Sequence, residues 1–378
     1  MKLKMKLLTA AMAALGASAA FADVTIGITL PLTGPTSALG IPMKQSIEMW
    51  PKTIGGQNLK VIILDDATDP TQATKNARRL VTEDKVDILM GSAATPAANA
   101  VAAVASETGT MQLSFSPIDV STAKSPWSYN MPQSTLVMSH AIVEHMKKNG
   151  VKSVGFLGYA DAYGELFLRD MKVKMNGTAL KFASEERFAR TDTSVTGQAL
   201  KVTAGNPDAI LIVASGSGAA MPHKALIERG YKGKIYQTHG AASNALIRVG
   251  GKDVEGAFVV AGPGLVAEQL PEKHPNRKVA LAHVEAWEKV NGPNSRNSFA
   301  AHAYDASVVL SKIIPVALKT AKPGTPDFRG ALKSALESAG PIPLFHGTVK
   351  YTATDHAGYT DDTGVIMKIV DGNWKLEK

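Results

Sequence analysis

A short turn, Gly91-Ser92-Ala93-Ala94-Thr95-Pro96, follows the apolar run Val86 to Met90 and opens an alanine-rich segment of helical period. These residue types suit the start of a helix: Thr95 can cap it, and Pro96 can occupy its first turn, where a missing N–H costs nothing. Backbone N–H groups at such an end lack intrahelical partners and carry the positive end of the helix dipole, so they stabilise an anion without a formal countercharge. A carboxylate is the ligand such a turn could hold, although the same residues also make an ordinary helix cap. A second turn, Ser114-Phe115-Ser116-Pro117-Ile118-Asp119, ends the next apolar run. In a parallel sheet it would lie beside Ser92 at the carboxyl edge of the strands, where open α/β sheets bind ligands. Hydroxyls and backbone from Ser116 to Ile118 could complete an anion site; alone, the segment reads as a β-turn with φ fixed by Pro117.

Catalytic patterns are missing. The chain has no Gly-x-x-x-x-Gly-Lys-Ser/Thr phosphate loop, no His-Glu-x-x-His and no Gly-x-Ser-x-Gly elbow, since Ser215-Gly216-Ser217-Gly218 has the wrong spacing. The nine histidines are scattered, and the closest pair, His140 and His145, is spaced away from one helical face. The expectation is a chain with no covalent nucleophile, no cofactor and no metal.

Two such turns need parallel sheets to hold them, and the rhythm of the chain supplies these. Strands are expected at 24–30, 59–64, 86–90, 111–115, 153–157, 209–213, 234–237 and 257–261. Helices are expected at 37–49, 71–83, 96–107, 136–148, 163–175, 195–204 and 219–229. That alternation is the pattern of an α/β fold with parallel-rich sheets covered by helices. In the last third, 283–290, 298–317 and 327–338 read as helices, followed by short runs at 347–351 and 364–370 and a closing hairpin at Asp371-Gly372 before Trp374. No internal repeat of solenoid period is present.

Length and composition bound the rest. Lys2, Lys4 and Lys6 precede an apolar run from Leu7 to Ala20 and the small-residue pattern Ala20-Phe21-Ala22, which predicts a secretory signal peptide over 1–22 and a mature start at Asp23. No later stretch offers about 18 uninterrupted apolar residues, so no membrane insertion is expected. The chain has no cysteine, hence no disulfide and no lipid-attachment cysteine, and free diffusion in a periplasm fits. The 378 residues predict two domains. The net charge of +8 falls to +5 once the three leader lysines are set aside. That surplus is spread along the chain without an arginine-rich run, which argues against nucleic acid as a partner.

Several segments together resemble the leucine/isoleucine/valine-binding-protein-like family. They are Asp23-Val24-Thr25-Ile26-Gly27 with Leu30-Pro31-Leu32-Thr33-Gly34-Pro35, then Asp65-Asp66-Ala67-Thr68-Asp69-Pro70, the Gly91 to Thr95 turn, Ala162-Tyr163-Gly164-Glu165, Gly251 to Gly256, and Tyr304-Asp305-Ala306. They occur in the family's order over essentially the whole mature chain. The resemblance implies two Rossmann-like lobes of the type 1 periplasmic binding protein, joined by a three-crossover hinge. Lobe 1 would hold 23–140 plus 263–340, and lobe 2 would hold 141–262 plus 341–378. Ligand would lie in the cleft and be buried by hinge closure. It also implies an inner-membrane ABC permease as partner, with a monomer as the default state.

Carried over by position, the family's carboxylate-binding serine matches Ser92, with Ala93, Ala94 and Thr95 at the same helix end and Ser116, Pro117 and Ile118 as the second segment. Tyr163 matches the closing aromatic residue of the second lobe, and Leu39 matches the position near the ligand side chain. Two departures stand out. Amino-acid-binding members place an acid after a second-lobe strand and a threonine in the first lobe to hold the ligand ammonium; here those positions hold His239 and Ile118. A buried ammonium would lack its countercharge, which is costly. The expected ligand is therefore a small hydrophobic or aromatic carboxylate, such as a 2-oxo acid, with Ser215 supplying a neutral polar group and His239 donating to a ring hydroxyl or keto oxygen. The alternative is a branched-chain or other neutral amino acid, its ammonium held by Asp119 or Glu165. More remote readings are a periplasmic sensor subunit or an enzyme on the same scaffold.

Overall fold

Apolar runs of three to nine residues bounded by turn residues become strands, and the longer segments of period 3.6 become the helices that cover them. A computed structural model of the protein describes residues 23–377, so the expected signal peptide lies outside the described residues. The first sheet is built from β1 (Val24–Leu30), β2 (Thr53–Ile54), β3 (Gln57–Asp65), β4 (Ile88–Met90), β5 (Gln112–Ser114) and β6 (Ser128–Asn130). Helices α1 (Ser37–Glu48), α2 (Pro70–Thr82) and α3 (Thr95–Thr108) connect them. Its strand order is β2-β3-β1-β4-β5-β6, parallel except where β2 meets β3.

Helix α4 (Thr135–Lys148) leads into β7 (Ser153–Tyr159), α5 (Ala162–Met175), β8 (Lys181–Phe188), α6 (Thr196–Thr203), β9 (Ala209–Val213), α7 (Ala220–Glu228), β10 (Lys234–Gln237), α8 (Asn244–Gly250) and β11 (Phe258–Ala261). The chain then forms α9 (Arg277–Asn291), α10 (Ser298–Ala317), α11 (Pro326–Glu337), the hairpin β12 (Ile342–Leu344) and β13 (Gly347–Val349), and finally β14 (Val365–Val370) and β15 (Asn373–Leu376). The second sheet runs β15-β14-β11-β10-β9-β7-β8, with β14 and β15 antiparallel at one edge. Strand β9 reads Ala-Ile-Leu-Ile-Val and is buried at all five positions, as a central parallel strand covered on both faces must be.

Two apolar cores result. In the first lobe Ile26, Ile28, Met90 and Leu113 pack with Ala306, Val309, Leu310 and Ile313 of α10. In the second, Phe156, Leu157, Leu211 and Val259 pack with Met367 and Ile369. Packing divides the last third differently from the segments expected above. Ile342, Leu344, Val349, Tyr351 and Tyr359 join the first core, whereas Ala280 and Val284 of α9 join the second. The chain thus crosses between lobes after β6, before α10 and before β14. Gln133, in the first crossing, donates through Nε2 to the carbonyl of His346 and to that of Thr363, tying the first crossing to the approach of the third.

Candidate functional site

The two turns singled out in the sequence meet at the carboxyl ends of β4 and β5, which are neighbours in register Leu89 to Gln112 and Met90 to Leu113. The helix starts one residue earlier than the sequence suggests: Ala94 is the extended N-cap residue of α3, and Thr95 is already helical. Freed from capping, the Thr95 hydroxyl shares a 2.8 Å hydrogen bond with Ser116 Oγ and donates to the Pro117 carbonyl at 3.1 Å. All these groups are buried. Either hydroxyl can redirect its proton to an anion placed against the helix end.

Ser92, the expected carboxylate-binding serine, is turned the other way. It is fully buried and donates to Asp66 Oδ2 at 2.7 Å, where Thr29 Oγ1 donates as well at 3.1 Å. Burial pushes the Asp66 carboxyl up, and the Ser92 hydrogen bond opposes that rise. Gly91 explains the orientation: its φ is +97°, and a Cβ there would stand 2.0 Å from the Thr29 carbonyl, so the turn is pressed against β1. Ala94 packs into the apolar layer around α2 and α3, and Ile118 packs against Ala98, Ala102 and Val120. These three expected contacts therefore lie off the cavity wall.

The second lobe contributes a cation that sequence reasoning missed. Asp161 caps α5, accepting from the N–H groups of Tyr163 at 2.9 Å and Gly164 at 3.3 Å. Its other oxygen accepts from Arg190 Nε at 2.5 Å, while Arg190 Nη1 donates to Ser215 Oγ at 3.0 Å. The guanidinium lies 4.1 Å above the Tyr159 ring, a stacked position that suits arginine's planar, weakly hydrated head. Tyr163 shares a 2.8 Å hydrogen bond with Thr238 Oγ1. His239 follows β10, with its ring 5.7 Å from that of Phe167. Burial, then the nearby His346, pushes its imidazole down to about 3, so it is neutral at ordinary pH.

Leu39, Ala93, Thr95, Ser116 and Pro117 from the first lobe and Tyr163, Arg190, Ser215 and His239 from the second line one cavity, with Phe115, Pro132, Phe299 and His302 closing it. It holds about 330 Å³ of empty space, the solvent at its mouth included, with room for little more than one water molecule between the walls. The walls are close: a Cβ at Gly216 would stand 2.8 Å from Leu39 Cδ1 of the other lobe. Neither Asp119 nor Glu165 reaches it. Asp119 is on the outside with Lys124, and Glu165 pairs with Arg187. A wider depression lined by Asn244, Arg248, Arg296 and Trp374 has about 930 Å³ of non-atom space, but it contains none of the strand-end residues. Among the described residues no group of three or more His, Asp or Glu side chains could hold a metal ion.

Two α/β lobes meeting over a small cavity at their strand ends define a periplasmic binding protein of type 1. The chain belongs to the Periplasmic binding protein family, whose pattern spans residues 23–373. It is similar to an extracellular ligand-binding receptor from Rhodopseudomonas palustris HaA2, with 47% identity over 94% of this chain and 100% of that one and a TM-score of 0.92. A Leu/Ile/Val-binding protein homolog 3 from Brucella melitensis is 25% identical over 89% of each chain. A solute-binding protein of an ABC transporter from R. palustris, solved in complex with benzoate, shares the fold with a TM-score of 0.79 at 17% identity, over 94% of this chain and 95% of that one. Among the described residues no helix is long and apolar enough to cross a membrane.

Proposed function

We propose that the protein is the periplasmic substrate-binding component of an ABC importer, and that it captures a small aromatic or hydrophobic carboxylate in the cleft without performing chemistry on it. The observation that carries this reading is the composition of the cavity: it is lined by an arginine and by no carboxylate. A zwitterionic amino acid needs a buried acid for its ammonium, whereas a simple carboxylate does not. Hydroxyls of Thr95 and Ser116 and the start of α3 face the ligand from the first lobe. The Arg190 guanidinium faces it from the second, with its Nη2 free of the contacts to Asp161 and Ser215. Phe115, Phe299 and Leu39 supply the apolar walls. In this arrangement the space has room for little more than one water molecule, so seating a ring requires the lobes to stand further apart. The benzoate complex of a structural neighbour is consistent with such a ligand.

Binding energy then comes from charge-assisted hydrogen bonds and apolar burial, part of it used to favour the closed arrangement. The test is a thermal-unfolding screen of mature protein, unfolded and refolded beforehand to strip retained ligand, against aromatic carboxylates, 2-oxo acids and neutral amino acids. Saturation at about 100 times Kd adds roughly 2.7 kcal/mol, a shift of several degrees. Stabilisation by carboxylates alone is expected; stabilisation by leucine or valine with none from the carboxylates sinks the reading.

A further inference from the structure

Two histidines that line the cavity each carry a nitrogen left over by everything described above. His239 Nδ1, from the second lobe, and His302 Nδ1, from α10 of the first, are both occluded from solvent and have no hydrogen-bond partner among the described residues. Both rings line the cavity, and the two residues are only 5% and 2% exposed. A buried polar atom without a partner is uncommon and costs about 1–3 kcal/mol, so such a pair calls for an occupant.

His302 is not free to turn away. Its ring stacks on that of His346 at 3.7 Å and 11°. His346 is itself fixed, Nδ1 on Asp305 Oδ2 at 2.7 Å and Nε2 on Ser298 Oγ at 2.9 Å. His346 therefore has no capacity to satisfy its neighbour, and it holds the His302 ring in place.

We propose, building on the carboxylate reading, that His239 and His302 together form a subsite for a hydroxyl group of the ligand, one histidine from each lobe, which selects hydroxylated aromatic acids. A neutral imidazole offers one donor nitrogen and one acceptor nitrogen, and a hydroxyl both donates and accepts. It can therefore satisfy one Nδ1–H and one bare Nδ1 together, where a keto oxygen could satisfy only donors. Because the two rings belong to different lobes, the hydroxyl completes both partners only when the lobes meet around it. A site built to pair a hydroxyl rejects the analogue lacking it far more strongly than an apolar pocket rejects a missing methylene.

The experiment compares refolded wild-type protein with ring-hydroxylated acids and their methyl isosteres, which match in size but cannot hydrogen-bond. The frames are benzoate, phenylacetate and 3-phenylpropanoate, each substituted at the meta or para position, with Kd read by calorimetry. In at least one frame the hydroxyl ligand should bind tenfold or more tighter than its methyl isostere. In H239F and in the shorter, still polar H302N that ratio should fall to threefold or less. Hydroxyl and methyl ligands binding within twofold of each other in every frame overturns the subsite and leaves the carboxylate reading standing; a water then serves the two nitrogens. A ratio unchanged in both variants assigns the hydroxyl to other residues and also overturns it. If no aromatic acid binds in any frame, the carboxylate reading falls and the subsite with it. The wild-type ratio needs no variant to fold.

Discussion

Each wall of the cleft keeps an aspartate just behind it, and the two are used in opposite ways. Asp66, in the first lobe, sits behind the Gly91–Thr95 turn among neutral donors, Ser92, Thr29 and the Thr68 amide, and burial raises its pKa. Asp161, in the second lobe, is bound to the guanidinium of Arg190 and aims that cation at the cavity. The first wall presents hydroxyls and a helix end; the second presents a formal charge. On the proposed reading a ligand held between them is read by shape and hydrogen bonding on one side and by charge on the other.

The sharpest way to break this contrast is to remove the charge. Arg190→Ala deletes the cavity's cation and strands Asp161, so carboxylate affinity should fall a hundredfold or more, consistent with the 2–5 kcal/mol that truncating a buried charge pair costs. Arg190→Lys keeps the charge without the fork and should fall between. Calorimetric Kd values decide both; an affinity within threefold of wild type in Arg190→Ala would place the carboxylate elsewhere.

Acid titration separates the walls next. His239 has its pKa lowered from 6.5 to about 3, so the unfolded chain takes up a proton that the folded one refuses. Its contribution therefore costs stability as pH falls below 6.5, on the order of 3 kcal/mol by pH 4. The variant H239F should flatten that part of a plot of Tm against pH, and an unchanged slope would contradict the burial of a neutral ring.

Asp66 has the opposite sign. Its raised pKa means the folded state holds the proton more tightly, so its contribution falls as pH rises above 3.8. Ser92→Ala removes the hydroxyl that offsets this and should lower stability by about 1–2 kcal/mol at neutral pH. The loss should shrink toward pH 4, with carboxylate affinity changing less than threefold. A large loss of affinity with no loss of Tm would return Ser92 to the ligand.

Smaller effects follow on either side. Thr95→Val removes one hydroxyl from the Ser116 pair and should weaken carboxylate binding about fivefold, near 1 kcal/mol. Glu165→Gln cuts an exposed ion pair to Arg187 and should change neither Tm nor affinity by more than about 0.5 kcal/mol.

Much of the scaffold was legible because its central strands are apolar runs with turn residues at their ends. The expected limits of 24–30, 209–213 and 234–237 coincide with β1, β9 and β10, and the closing hairpin turns at Asp371-Gly372. Strand β8 was not legible. It lies at a sheet edge and reads Lys-Phe-Ala-Ser-Glu-Glu-Arg-Phe, so charged residues hide its period of two. Missing it also hid Arg190, two residues past its end, where strand-end position is the signal that would have found it. His302 was obscured for another reason: it lies inside a long apolar helix that reads as packing, and only the crossing of the chain brings that helix to the cleft. Ser92 shows the limit of residue type as a guide. A serine beside a helix start can face a ligand or a buried acid, and the closeness of Gly91 to β1 decides between them.

The narrowness of the cavity carries a kinetic consequence. Walls drawn from both lobes leave room for little more than one water molecule, so a ring-sized molecule does not fit between them as they stand. On the proposed reading exchange waits for the lobes to part, so residence time would be limited by the frequency of opening as well as by the strength of the contacts inside. Two ligands of different affinity can then leave at similar rates and differ instead in how readily the cleft shuts on them.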